Sequence, residues 1–217
     1  MRKNYISFFL ACGVLAAPLA SQAGLFDAVT NTASTATGGG ASSGGSDAGP
    51  SQDALVQGYV QANKSILIAQ SKMASALGAK DAAAKAKAEA DALNSGATVD
   101  NLNKADSVQS DVSKAISDRQ ADKSYKMDAA SKKEFSAGMA TLGKGLLQYA
   151  LLAPKIQSFT AGLKSASPLA MAKLSSGIYI AKSLPSNASN LKTTLSSSID
   201  YAKSNDIPVP ADATKAL

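Results

Sequence analysis

The chain has 217 residues, with 22 basic residues against 16 acidic ones, a single Cys, and no His or Trp. Without His, and with Cys only at position 12, Ser-His-Asp triads and Cys-His dyads have no base, and transition-metal sites have only carboxylates to use. The length fits one domain with a sizeable core. Its apolar material is mostly Ala, Leu, Ile and Val, a composition that favours helix.

Residues 1–23 read as a secretory signal peptide. Arg2 and Lys3 form a positive n-region, and residues 6–19 form an apolar stretch. Ser21 and Ala23 then place small residues at −3 and −1 of a cleavage site before Gly24. The apolar stretch is shorter than the ~20 residues a spanning helix needs. Cys12 lies inside it, with too few apolar residues before it for a lipidation signal, and is lost on cleavage. Cleavage after Ala23 would release a periplasmic or secreted protein with 20 basic and 16 acidic residues and no disulfide.

Residues 24–50 open with Leu25, Phe26 and Val29 and continue as a Gly/Ser/Thr-rich run. Such a composition buries too little apolar area to offset its ordering entropy, which predicts a flexible linker. The bundle is expected at 51–204. Ser51 is placed to cap a long helix whose stripe is Leu55, Tyr59, Ala62, Ile66, Ala69, Met73 and Ala76, widened by Val56, Val60 and Leu67. Gly78 should stop or kink it. An Ala-rich helix over 81–94 follows, with Asp81/Lys85, Lys85/Glu89 and Lys87/Asp91 at i,i+4 spacing. Asn94 to Gly96 end it.

Thr98 caps the next helix, which reaches about Lys123. Its narrow stripe is Leu102, Ala105, Val108/Gln109, Val112 and Ile116. Ser131 and Glu134 have capping-box spacing ahead of an apolar helix with Phe135, Met139, Leu142, Leu146, Tyr149 and Ala153 on one face. Leu147 and Leu151 are expected to widen that buried face, and Pro154 to kink or end the helix. A short helix then reaches Leu163. Ser167-Pro168 opens a further helix to about Ser183, which Pro185 ends. A last helix over about 188–204 carries Leu191, Leu195, Ile199 and Ala202, and 205–217 is expected as an extended tail. The fold class is therefore all-α, a bundle of about five to seven long, largely antiparallel helices. The heptad-like stripes also permit pairing with a second copy.

From 135 to 199 every charged residue is a lysine: Lys144, Lys155, Lys164, Lys173, Lys182 and Lys192. Such a surface would suit an anionic partner. The spacing of 9 to 11 residues alternates helix faces and builds no single stripe. Arg119 is the only Arg after residue 23, poor material for reading nucleic acid with Arg forks.

The carboxylates Asp100, Asp106, Asp111, Asp118 and Asp122 lie on one helix and read as a solvated face. No calcium loop or Gly-rich phosphate loop occurs. Ser189 and Lys192 fit Ser-x-x-Lys, but the companion elements of the penicillin-binding class are missing. Ala137, Thr141 and Gly145 place small residues four apart, suited to close helix approach.

The sequence thus points to an exported envelope protein that binds or scaffolds without chemical turnover and without a cofactor. Its partner would be an envelope protein, an anionic lipid or an anionic polymer. The alternative is a membrane-active protein that associates with or inserts into lipid through 135–166.

Overall fold

The computed structural model describes residues 52–217 apart from Ser95. The expected signal peptide, linker and Ser51 cap lie outside the described residues. Among the described residues there are seven helices and no strand: α1 (Gln52–Ala76), α2 (Lys80–Ala92), α3 (Val99–Ala121), α4 (Ala129–Leu163), α5 (Pro168–Lys173), α6 (Ser175–Ser204) and α7 (Ala211–Lys215).

The central pair is α1 with α4. Gly58 on α1 faces Leu152, Ile66 faces Gly145, and Met73 faces Gly138. Partner numbers fall on α4 as they rise on α1, so the two helices run antiparallel. A Cβ on Gly138 would stand 2.5 Å from Met73 Cγ and 3.1 Å from the Ala69 carbonyl oxygen, and one on Gly145 would stand 2.6 Å from Ile66 Cγ1. The small residues that permit close approach are therefore Gly138 and Gly145, seven apart. Of the expected trio, Ala137 is exposed and Thr141 only half-buried.

The stripes on α1 and α3 are buried residue for residue as their periodicity predicts, as is the one on α6. On α4, Phe135, Met139, Leu142, Leu146 and Tyr149 are buried as expected, but Ala153, Leu147 and Leu151 are exposed. Leu152 and Phe159 are buried instead, because the helix turns its inward face toward Gly58 and Gly177. Each fully buried Leu, Ile or Phe contributes ~1.5–3 kcal/mol. α2 packs on α1 and α3, while α6 packs on α4, α3 and α1.

Helix ends follow local chemistry. Gly78, at φ 75°, ends α1 in a Schellman turn: Gly78 N–H donates to Ser75 O at 2.9 Å and Ala79 N–H to Ala74 O at 2.8 Å. Arg119 Nε donates to the Leu77 carbonyl at 2.9 Å, and its guanidinium lies 4.7 Å from the Tyr125 ring centroid. Thr98 and Asn101 form a reciprocal capping box on α3. On α4 the cap is Asp128, whose carboxylate accepts from Ser131 N–H at 2.7 Å, so the helix starts before the expected Ser131 cap. Of the three expected i,i+4 pairs, only Lys87–Asp91 forms, at 2.9 Å. Lys85 and Glu89 turn to α3, pairing with Asp111 at 2.5 Å and Lys104 at 2.9 Å.

Other boundaries also differ from the sequence reading. α4 continues through Pro154 and α6 through Pro185. Both prolines are exposed, and the carbonyls they leave without an N–H, at Ala150 and Ala181, sit on exposed and half-exposed residues where water can serve them. The break instead falls at Leu174, between α5 and α6. The tail is not simply extended. Asp206 adopts φ 54°, and Ile207 N–H donates to Ala202 O at 2.9 Å in a second Schellman turn. Ile207, Ala213 and Ala216 are buried. α7 presses its backbone on Gly143, Ser136 Oγ donates to the Pro208 carbonyl at 2.7 Å, and Lys132 Nζ donates to the Asn205 carbonyl at 2.6 Å.

Gly→Ala within a helix ordinarily stabilises by ~1 kcal/mol. At Gly138 the backbone of α1 stands too close to yield, so Gly138→Ala should destabilise by ~1–3 kcal/mol and lower the thermal midpoint by roughly 2–10 °C. Gly96→Ala, which meets nothing nearer than Asn94 Oδ1 at 3.4 Å, should leave the midpoint nearly unchanged. Thermal melts followed by circular dichroism compare the two.

Candidate functional site

A polar network threads the interior between α1, α3, α4 and α6. Tyr59 and Tyr149 stack with ring planes 1° apart and centroids 5.4 Å apart. Tyr149 donates to Asn63 Oδ1 at 2.8 Å, Gln109 Nε2 donates to the same oxygen, and Asn63 Nδ2 donates to the Tyr59 carbonyl at 3.1 Å. Gln70 Nε2 donates to the Gln109 carbonyl at 2.9 Å and to Ser113 Oγ at 2.8 Å. The Asp106 carboxylate accepts from the Tyr59 hydroxyl at 2.8 and 2.9 Å and from the Tyr179 hydroxyl at 2.7 Å, and Asn187 Nδ2 donates to the Tyr59 hydroxyl oxygen at 2.9 Å.

Asp106 is thus half-buried in a tyrosine cluster and does not belong to the solvated face expected of the α3 carboxylates. Burial raises its pKa, only partly opposed by the hydrogen bonds of Tyr179, Tyr59 and Asn187. Burial, helped by the Asp106 charge, pushes the Tyr59 phenol up to about 12, and burial also drives the Tyr149 and Tyr179 phenols upward. All three phenols are therefore hydrogen-bond donors at neutral pH.

The network has little room for a ligand. The cavity between Asp106, Gln109, Ser113, Asn187 and Leu191 holds about 20 Å³, space for roughly one water. It acts as a polar register key, joining four helices through hydrogen bonds that a shifted packing would leave unmade.

Two larger clefts lie elsewhere. One of about 510 Å³ runs between α4 and the tail, lined by Lys132, Lys133, Ala137, Pro208 and Pro210. Another, of about 450 Å³ at the C-terminal ends of α3 and α6, contains Asp122 and Asp200 beside Tyr125 and Tyr201. Two carboxylates in one cleft invite comparison with acid/base hydrolases, which need one acid held protonated. Asp122 has the opposite tuning. Ser124 N–H and Oγ and Arg119 hold its carboxyl below the usual range. Among the described residues no group of three or more His, Cys, Asp or Glu side chains is arranged to hold a metal ion.

The six lysines singled out by sequence are all exposed. Lys144 pairs with Asp212 at 3.6 Å, and Lys192 donates to the Leu217 carbonyl at 3.3 Å. The other four gather near the α4–α6 turn. Phe159 on α4 packs directly on Gly177 of α6. Lys155, Lys164, Lys173 and Lys182 each stand four or five residues in sequence from one of these two positions, with Lys155 and Lys164, nine apart, on opposite sides of α4. Apart from Lys144–Asp212, every ion pair among the described residues lies within 85–122.

No protein-family model matches this chain, and comparison with curated proteins and with solved structures gives no match.

The sequence reading missed Asp106, Asn63 and Gln70 as interior groups. Their spacing carried the signal: Asn63 and Gln70 fall within the Tyr59–Ile66–Met73 stripe, and Asp106 follows Leu102 by one helical turn.

Because the folded-state pKa of Asp106 is raised, the folded chain holds a proton there at pH values where the unfolded chain has lost it. Its contribution to stability is complete below the ordinary carboxylate value and falls as pH rises through the raised one. Asp106→Asn keeps an acceptor for the two phenols. The variant's thermal midpoint, relative to the parent, should therefore climb between about pH 3 and pH 7. A relative midpoint that stays flat or falls over that interval would contradict the assignment.

Proposed function

We propose that this chain is an exported protein of the bacterial envelope, acting as a non-enzymatic binding or scaffolding bundle for an anionic partner. Export rests on the pattern at 1–23. The observation that carries the binding reading is the segregation of charge. Acidic side chains and their ion pairs are concentrated on α2 and α3. The α4–α6 turn presents Lys155, Lys164, Lys173 and Lys182 in a stretch without a single Asp or Glu. Gln52 bonds the Lys173 carbonyl and Gly177 N–H, which brings Asp53 to this end, but none of the four lysines forms an ion pair among the described residues, so each ammonium is available to an external anion. The interior carboxylate, Asp106, is occupied by two phenols and takes the part of a packing group.

Retention on immobilised polyphosphate tests this reading. Replacing Lys155, Lys164, Lys173 and Lys182 by Ser should lower the salt needed for elution. Replacing Lys80, Lys87, Lys114 and Lys123 by Ser removes the same charge from elsewhere and should lower it much less. Equal shifts would mean that only net charge matters and would overturn the assignment of a working surface.

A further inference from the structure

We infer that the α4–α6 end seats in the plane of an anionic lipid surface, which rests on the reading of its lysines as the working surface and names the partner. Charge alone would serve any polyanion. The apolar groups around the lysines narrow the choice. Leu151 is 72% exposed and Leu169 73% exposed, and Leu147 and Met171 each 38%. These are four of the six large hydrophobic side chains exposed among the described residues.

On α4, Leu147, Leu151 and Lys155 follow spacings of four and four, so they share the outward face, while Lys144 ahead of them is engaged by Asp212 of α7. α5 buries none of its residues and carries Leu169 and Met171 with Lys173 at its end. A soluble polyanion gives the leucines nothing to bury against. A second copy of this surface would oppose lysine to lysine. An anionic bilayer satisfies both groups at once: head groups meet the ammonium ions, and the boundary of the acyl region takes the leucines.

α1 and α6 occupy the inward face of α4 and α7 packs beside Gly143, so the surface left for lipid is the outward face around Leu147, Leu151 and Lys155. Among the described residues no helix is long and apolar enough to cross a membrane. The association is therefore peripheral. It reaches beyond 135–166 to include α5.

Co-sedimentation of the purified chain with vesicles decides the matter. Binding is expected to mixed phosphatidylglycerol/phosphatidylcholine vesicles at low ionic strength, weakening with salt, and not to phosphatidylcholine alone. Leu151→Gln with Leu169→Gln should weaken it about tenfold, and Lys155→Ser or Lys164→Ser about fivefold each. Far-ultraviolet circular dichroism verifies that each variant stays helical. In the chain from Gly24 onward, which has no Cys, an environment-sensitive dye on Leu169→Cys should shift to the blue on these vesicles, and the same dye on Lys114→Cys should not.

Failure to bind anionic vesicles while polyphosphate retention persists would overturn the lipid assignment and leave the anionic-polymer reading standing. Vesicle binding that needs the lysines but ignores both leucines, with no dye shift at 169, would also overturn it. Loss of vesicle binding together with polyphosphate retention that is indifferent to these lysines would remove both readings.

Discussion

Gly138 and Gly145 let α4 lie against α1 closer than any residue with a Cβ would permit, and the rest of the molecule is arranged around that contact. The approach brings Tyr149 over Tyr59 in a parallel stack and puts its hydroxyl within reach of Asn63. Tyr59 is thereby fixed with its phenol directed at α3, where Asp106 accepts it. Tyr179 and Asn187 bring α6 to the same cluster. Loosening the glycine contact by one side-chain diameter would separate the rings and leave several buried polar groups without partners, at ~1–3 kcal/mol each. Close packing and polar satisfaction depend on one another here.

The distribution of charge follows a different logic. Charged groups that meet inside the bundle are matched: Glu89, nearly fully buried, finds Lys104, and Asp106 finds two phenols. The sole Arg after residue 23 serves the C-terminal end of α1, where unpaired carbonyls and the helix dipole favour a cation. None of the four lysines around the α4–α6 turn forms an ion pair among the described residues, and large apolar side chains also reach solvent there. A bundle with sufficient core elsewhere has no folding reason to expose Leu151 and Leu169. Their position beside lysines is the physical basis for assigning that end to an amphipathic partner.

Much of the fold was legible from periodicity. The stripes on α1, α3 and α6 are the buried faces, because a 3.6-residue period leaves one solution for which side enters the core. The Thr98 cap and the Gly78 stop were legible for the same local reason. The prolines misled as helix ends, since at the exposed positions Pro154 and Pro185 water can serve the carbonyl that each leaves without an N–H, and the helix continues. Leu147 and Leu151 misled because hydrophobicity identifies what can be buried and not what is. The α7 clasp was illegible, since it follows from Asp206 adopting a left-handed conformation more common for glycine. For the candidate site, the lysines and their acid-free surroundings could be read directly, whereas their convergence on one end required the Phe159–Gly177 crossing.

The two outward prolines bear on more than helix boundaries. Each removes one rung from the backbone ladder of a long helix, and between them in sequence lies the whole α4–α6 end, including α5 with no buried residue. The α1–α4 contact between Gly138 and Tyr149, by comparison, lies ahead of Pro154 and is packed with fully buried side chains. The protein is therefore unevenly stiff. Within α4 to α6, α5 and the turns flanking it should open at lower cost, so that their backbone amides exchange with solvent sooner than those beside Ile66 and Leu142.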